Sequence, residues 1–250
     1  MNARDDGGVE SGNYLNLSAD DLDRNVYRIV SFERLREMFE TNVNVLVSPE
    51  CWDDPFENFI LKCPVILESG ETAHVDFHDQ YFGQCWTLKS ASDAMWRIYS
   101  PDSRGIRIRT TIRKLAQSLA SHEGEWAGVS AFIGKVRYLS KKKMKAFAEQ
   151  TWHSTRPAHF AQTLLAKRPA FEHEAEVRLI YWQRETRRNG QKHYSYRIDP
   201  NDLIDQVMCD PRLDKEEYRT VRGRIRAAGF RGDIFRSLLY APPPKFELRF

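Results

Sequence analysis

Apolar and polar positions along this chain fall into short alternating stretches separated by helical repeats, so the pattern predicts strands dispersed among helices. Residues 25–30 (NVYRIV) have the aromatic and β-branched content of a strand. Ser31 then caps a helix to about Glu40, in which Phe32, Leu35 and Phe39 share one face. An apolar run over 43–47 precedes Asp54-Pro55-Phe56-Glu57, whose spacing predicts a capping box on a short helix beginning at Pro55. Further strands are expected over 84–88, 105–110 and 134–139, with a helical turn at Met95, Trp96 and Tyr99 between the first two. Helices follow over 141–152 and 157–167. Residues 175–182 and 192–198 flank Asn189-Gly190 and predict an antiparallel pair. A strand around 203–208, a helix over 215–228 ended by Gly229, and a strand near 233–240 complete the pattern, and the Pro-rich stretch 242–244 ends regular structure.

This order predicts an α+β fold: an antiparallel or mixed β-sheet core of short strands with helices inserted between them. Residues 1–20 are polar, acidic and without periodicity, which predicts a disordered N-terminal segment ahead of a single α+β domain over 21–250. No glycine-rich loop joins a strand to a helix, so neither a Rossmann nor a P-loop nucleotide site is supported.

With 250 residues, 41% of them hydrophobic, the chain can bury a sizeable core. Cys51, Cys63, Cys85 and Cys209 are widely spaced with no Cys-x-x-Cys pair, which suits reduced thiols and no structural zinc. No apolar stretch approaches the ~20 residues of a membrane helix, and the N-terminus is unlike a signal peptide, so a cytoplasmic protein without membrane contact is expected. The net charge of +3 hides an asymmetry, with 6 Lys/Arg against 17 Asp/Glu in residues 1–80 and 32 against 18 in the remainder. That basic remainder suits phosphate-bearing partners, or simply solvated helix faces.

Candidate chemistry gathers at Glu174-Ala175-Glu176-Val177-Arg178. Strand alternation puts Glu174, Glu176 and Arg178 on one face and Ala175, Val177 and Leu179 on the other. Neighbouring carboxylates raise one another's proton affinity while an adjacent Arg lowers it, which suits distinct roles in a cleft. A solvated outer face would explain the charges equally, but Ile180 and Trp182 continue that face and argue for partial cover. Arg28, flanked by apolar residues, needs a carboxylate or a phosphate partner. Thr87 offers a strand hydroxyl. Met95, Trp96 and Tyr99 could stack on a flat ring or fill a core, and Asp53, Asp54 and Glu57 could bind a divalent cation.

Together, Tyr27 to Leu35, Asp53 to Glu57, Cys85 to Thr87, Met95 to Gly105 and Glu174 to Arg178 resemble an uncharacterised bacterial family with Y-x-I-x-x-F/Y-x-x-L, D-D-P-F-E, C-aromatic-S/T, M-W-x-x-Y-x(5)-G and E-x-E-x-R motifs. More remotely, the order strand-Arg, strand-Ser/Thr, strand-Glu-x-Glu resembles the ADP-ribosyltransferase toxins, with Arg28, Thr87 and Glu174-x-Glu176 at the matching positions. That resemblance implies a split sheet and NAD as substrate. It also implies that Arg28 contacts the phosphate or ribose region and that Thr87 supports the pocket; Trp96, Tyr99 and Arg178 are further candidates for the NAD site. By the same resemblance Glu176 would stabilise an oxocarbenium-like transition state, and Glu174 would orient or deprotonate the acceptor. The middle motif departs from the family, with Trp86-Thr87-Leu88 where a Ser-Thr-Ser run is expected.

The leading expectation is therefore an NAD-dependent ADP-ribosyltransferase, a toxin or antiviral effector, with a nucleic-acid or protein acceptor and a neutralising protein partner. Two alternatives stand beside it: a metal-dependent nuclease using Asp53, Asp54, Glu57, Glu174 and Glu176, and a non-catalytic binding module.

Overall fold

Residues that alternate between two buried faces need cover on both sides, and the sheet of this protein is built around such strands. A computed structural model of the chain describes residues 11–57, 59–66, 69–73, 79–151, 156–185, 190–241 and 243. Among these, ten strands form one mixed sheet: β1 (Tyr14–Leu15), β2 (Asn25–Val30), β3 (Val43–Val47), β4 (Tyr81–Thr87), β5 (Ile106–Thr111), β6 (Ala131–Lys135), β7 (Glu176–Trp182), β8 (His193–Arg197), β9 (Gln206–Cys209) and β10 (Asp233–Arg236). Their order is β1-β6-β7-β4-β2-β5-β9-β10, and β3 pairs with both β4 and β8. The outer pairs β1·β6 and β9·β10 are parallel and the others antiparallel. The fold is α+β, as the order of elements predicts.

Helices cover the faces: α1 (Phe32–Thr41), α2 (Asp93–Tyr99), α3 (Ile112–Glu123), α4 (Lys141–Thr151), α5 (Pro157–Thr163) and α6 (Lys215–Ala227). Phe82, Trp86, Val177, Leu179 and Tyr181 meet Ile112, Leu115 and Leu119 of α3 in the larger core. The opposite face of β4 and β7 packs Tyr81 and Ile180 against Phe132, Phe160, Leu164 and Leu165. β7 is thus buried on both faces from Glu176 to Tyr181. Where Ile180 and Trp182 suggested partial cover, Ile180 is fully enclosed and Trp182 half-buried.

The sheet forks at β4. One edge of that strand pairs with β7 along its whole length, from Tyr81 to Thr87. Among the described residues its other edge meets β2 only at Thr87↔Tyr27 and β3 only at Gly83↔Val47, so neither of these strands lies beside Gln84 to Trp86. The gap is propped by polar side chains: Gln84 Nε2 donates to the Val45 carbonyl at 2.9 Å and to Asn44 Oδ1 at 2.7 Å.

Several expectations are corrected. The segments over 175–182 and 192–198 do not pair with each other; β7 lies between β4 and β6, and β8 joins β3. Asn189 lies outside the described residues, while Gly190 has the positive φ of 78° that the turn reading asked for. The strand expected over 134–139 begins at Ala131, because the buried run Ala131-Phe132-Ile133 fills both cores. Ala166–Lys167 ends the helix expected over 157–167 by pairing with Arg137–Tyr138 instead. The region 203–208 divides into a helical turn, Pro200–Leu203, and β9. Helix α3 was not expected, although Ile112, Leu115, Ala116, Leu119 and Ala120 have the spacing of one buried helical face. The last strand stops at Arg236, and Trp152, Pro242 and Pro244 lie outside the described residues. No helix among the described residues is long and apolar enough to cross a membrane.

The stretch 11–20, expected within a disordered lead-in, is tied to the sheet. β1 pairs with β6, and buried Asn13 donates through Nδ2 to the carbonyls of Ala127, at 2.8 Å, and Ala131, at 2.5 Å. Gly134 admits this strand, since a Cβ there would come within 2.9 Å of the Leu15 backbone. Asn13→Ala should therefore cost about 1–3 kcal/mol by leaving buried carbonyls unpaired, read as a lowered urea midpoint; an unchanged midpoint would mean that the segment is loosely held.

Candidate active site

Strand alternation points Glu176 and Arg178 of β7 toward the same side as Thr87 and Cys85 of β4, their direct partners. Glu57, Lys167 and Glu174 come from the segments between the strands of this sheet. Glu57 follows a turn in which the Glu57 N–H donates to the Asp54 carbonyl at 3.0 Å. Lys167 ends the short strand paired with Arg137–Tyr138. Glu174 ends the 3-10 helix Pro169–Glu174, and Ala175 turns the chain into β7 through a left-handed φ of 43°. Glu174 is therefore not a strand residue sharing an E-x-E face; it reaches Glu176 by a turn.

These five side chains form one buried ion cluster. Lys167 Nζ lies 3.0 Å from Glu57 Oε1 and 3.5 Å from Glu176 Oε2, and it also bonds Glu174 Oε2. Arg178 Nη2 lies 2.5 Å from Glu57 Oε2 and 2.6 Å from Glu176 Oε2, while its Nη1 donates to the Leu164 carbonyl at 2.6 Å. The Trp52 ring lies 4.3 Å over the Arg178 guanidinium. That stack exists because residue 83 is glycine: a Cβ at Gly83 would come within 2.6 Å of the indole.

Three carboxylates against two cations leave one negative charge in excess. Burial alone would raise the Glu176 carboxyl, but Arg178 and Lys167 outweigh it and hold the group below its ordinary value of 4.5. At Glu57 burial prevails over the same two cations, and its proton affinity is raised. Burial lowers the Lys167 ammonium, but Glu176, Glu174 and Glu57 more than reverse this and hold it firmly protonated. The cluster thus contains a carboxylate kept ionised and one that takes up a proton readily.

Around it a cavity of about 390 Å³ opens at the fork of the sheet. Arg28, Thr87, Tyr99, Glu174 and Glu176 all line it, with Glu57, Lys167, Trp52, Cys85, Arg168 and Phe171. Arg28 pairs with core residue Ile108 in the sheet and so starts from the face opposite Thr87, but the missing strand lets it reach the same opening. It is half-buried, and burial lowers its guanidinium pKa. The ionisable groups that act on it are Cys85, Arg34 and Tyr99, none a carboxylate, and no ion pair or hydrogen bond engages it among the described residues. Thr87 Oγ1 donates to the Glu174 carbonyl at 2.5 Å and accepts from the Lys89 N–H, so its hydroxyl holds the Glu174 turn in place. The exposed Tyr99 donates its hydroxyl to Glu174 Oε1 at 3.1 Å.

Two residues expected to touch a ligand do not line the cavity. Trp96 is 1% exposed and packs inside, because Met95 and Tyr99, not Trp96, fall on the open side of α2. Arg178 is fully buried beneath the cavity floor, where it positions Glu57 and Glu176. The capping box at Asp54 is also absent. Asp54 Oδ1 accepts from the Phe56 N–H at 3.0 Å, but no helix starts at Pro55, and the carboxylate binds Arg168 through two bonds of 2.9 and 3.2 Å. Asp53 is exposed at the cavity rim. Among the described residues no three His, Cys, Asp or Glu side chains are placed to share a metal ion, and the buried glutamates already hold Lys167 and Arg178. Lys167 and Trp52 carry no sequence signal of their own; Glu57 carried two, as a helix cap and as a cation ligand, and is instead paired with Lys167 and Arg178.

A family described only as a protein of unknown function (DUF2971) matches residues 95–179. That span contains the Met95 to Gly105 segment and the Glu174 to Arg178 motif of the uncharacterised family that the sequence resembles. Among solved structures, three similar ones are of DarT from Thermus sp. 2.9: in complex with carba-NAD+ (10% identity, TM-score 0.39), with NAD+ (12%, 0.39) and with ADP-ribosylated ssDNA (10%, 0.40). Each match covers 86% of this chain and 94–96% of the other. No curated protein matches the sequence.

Lys167→Met leaves three buried carboxylates with one cation, and should destabilise the protein by about 3–5 kcal/mol at neutral pH. In the variant Glu57 and Glu176 lose one of the two cations that favour their ionised forms, so their proton affinity rises and the destabilisation eases as pH falls. In the wild type the depressed Glu176 contributes stability above its unfolded value that is lost as pH falls. The gap in melting temperature between the two proteins should therefore narrow from pH 7 to pH 5.

Proposed function

We propose that this protein is an NAD-dependent ADP-ribosyltransferase, with a nucleic acid or a protein as acceptor. The observation that carries this reading is the polarity of the cavity: an unpaired guanidinium, Arg28, and a carboxylate cluster with one excess negative charge line the same opening. A substrate that bears a diphosphate beside a sugar carbon about to become cationic matches both ends. The cavity's volume also falls within the usual range for small-molecule sites, roughly 300–1,000 Å³.

In this reading Arg28 binds the diphosphate and Trp52, Tyr99 or Phe171 supplies a flat wall for the nicotinamide ring. The bond between C1′ of the ribose and the nicotinamide nitrogen breaks with its electron pair leaving on nicotinamide, and positive charge develops on the sugar. Glu176, held ionised and fixed by Arg178, faces that charge without having to reorganise. The acceptor's lone pair then closes on C1′, and its proton passes to Glu174, which lies beside exposed Tyr99 at the mouth. Thr87 acts through the Glu174 turn as a positioning residue. An enzyme of this kind working on its own cell's molecules needs restraint, and a neutralising protein partner in the cytoplasm belongs to the same proposal.

The test is nicotinamide release from NAD by the purified protein, with and without nucleic acid or cell extract. Glu176→Gln keeps shape and removes the charge, so turnover should fall at least ~10²-fold while NAD binding is largely kept. Release that is undiminished in this variant, or absent from the wild type with every acceptor, overturns the proposal. If Glu176 is the group that must be ionised, the acid limb of the rate profile lies below pH 4.5; if Glu57 is, it lies above and disappears in Glu57→Gln.

A further inference from the structure

Buried and half-buried cations in this protein are mostly paired: Lys167 and Arg178 with glutamates, Arg168 with Asp54, Arg212 with Asp210 and Lys114 with Asp205. Arg107 and Arg109, like Arg28 in the cavity, depart from this rule. They stand two residues apart on β5, so their side chains leave the same face of the sheet. Register places Arg109 in a row with Tyr27, Thr87 and Glu176 on successive strands. Arg107 is 7% exposed, its guanidinium 4.6 Å from the centre of the Tyr27 ring, and Tyr27 in turn lines the cavity.

Among the described residues neither guanidinium has a carboxylate partner. The Nε atoms of both are buried without a hydrogen-bond partner, and no ion pair engages either among the described residues. Burial lowers the Arg107 pKa, and beyond Tyr27 the charge acting on it is the like charge of Arg109. Guanidinium groups keep their proton under such conditions, so among the described residues two adjacent buried or half-buried positive charges stand without a counter-ion. Stacking on Tyr27 accounts for one face of Arg107. It accounts neither for Arg109 nor for the unused donors of both.

We propose that Arg107 and Arg109 form a phosphate-binding subsite beside the cavity, with Tyr27 as the wall between them. Arg109 lies two strand spacings from Thr87, about 10 Å, a distance that a ligand with its sugar in the cavity can span with a phosphate. Planar forks of N–H donors suit phosphate oxygens, and two of them side by side suit a doubly contacted phosphate ester. The phosphate belongs either to a dinucleotide emerging from the cavity or to the backbone of a nucleic-acid strand. The subsite goes beyond the proposed reaction, because phosphate binding does not require the glycosidic bond to break.

Binding without turnover tests it and stays interpretable even if no nicotinamide is ever released. The dissociation constants of the whole protein for ADP-ribose and for a labelled single-stranded oligonucleotide are measured at several salt concentrations, for wild type, Arg109→Gln and Arg107→Lys. Arg109→Gln should weaken at least one probe about tenfold. For the oligonucleotide it should also reduce the salt slope by about one. Arg107→Lys keeps the charge but loses the fork, and should weaken the same probe less. Loss confined to ADP-ribose assigns the phosphate to the dinucleotide, and loss confined to the oligonucleotide assigns it to the strand. Unchanged constants for both probes in Arg109→Gln overturn the subsite, and since this side chain is only half-buried, its replacement leaves a folded protein to measure.

Discussion

Five charges with almost no access to water constrain the rest of this structure. Glu57, Glu174, Glu176, Lys167 and Arg178 are each solvated in the unfolded chain, and none can be buried singly without a cost of several kcal/mol. Only the complete assembly repays that cost, and its members come from separate places: the connection after β3, the stretch between α5 and β7, and β7 itself. Trp52 over Arg178, the Thr87 hydroxyl on the Glu174 carbonyl and the Asp54–Arg168 pair are the devices that bring those connections into place. The excess of one carboxylate is then a property of the assembly. It gives chemically identical side chains a few ångströms apart opposite tendencies to hold a proton.

What the sequence made legible follows from how far each interaction reaches. Alternation is local, so the common orientation of Glu176 and Arg178 and the strands around Tyr27 and Thr87 could be read directly. The amphipathic repeat of Ile112, Leu115 and Leu119 was equally local, and that helix was available to the same reading. Glu57 was not, because Asp-Pro-Phe-Glu spells a cap when only neighbouring N–H groups compete for the carboxylate, and here the competitor is Arg178, 121 positions away. Lys167 was hidden in the run Leu164-Leu165-Ala166, whose apolar character suits a helix and a buried bridge alike. Which strands become neighbours is likewise decided by the whole sheet: β7 and β8 satisfied every local requirement of a hairpin and found other partners. Residues 11–20 lacked periodicity because Asn13, a polar side chain bonding two carbonyls, does the anchoring that apolar repeats usually do.

The proposed site residues divide by where they act. Arg28, Thr87, Glu174, Glu176 and Tyr99 reach the opening, with the Thr87 hydroxyl turned onto the Glu174 carbonyl; Arg178 is buried against Glu57 and Glu176, and Trp96 belongs to the core. A motif read along the chain marks such residues together because they are assembled together. The division between those that line the cavity and those that hold a neighbour appears only in three dimensions.

The fork at β4 carries one further consequence. The opening is made by the path of the main chain, by two strands leaving the same edge at Gly83 and Thr87, and not by small side chains lining a groove. Substitutions at Cys85, Tyr99 or Phe171 can therefore change what fits without closing the space, while the framework that keeps it open is left alone. The existence of the opening and the character of its lining are in this way encoded by different parts of the sequence. Nearly every lining side chain could be exchanged and the doorway would still stand.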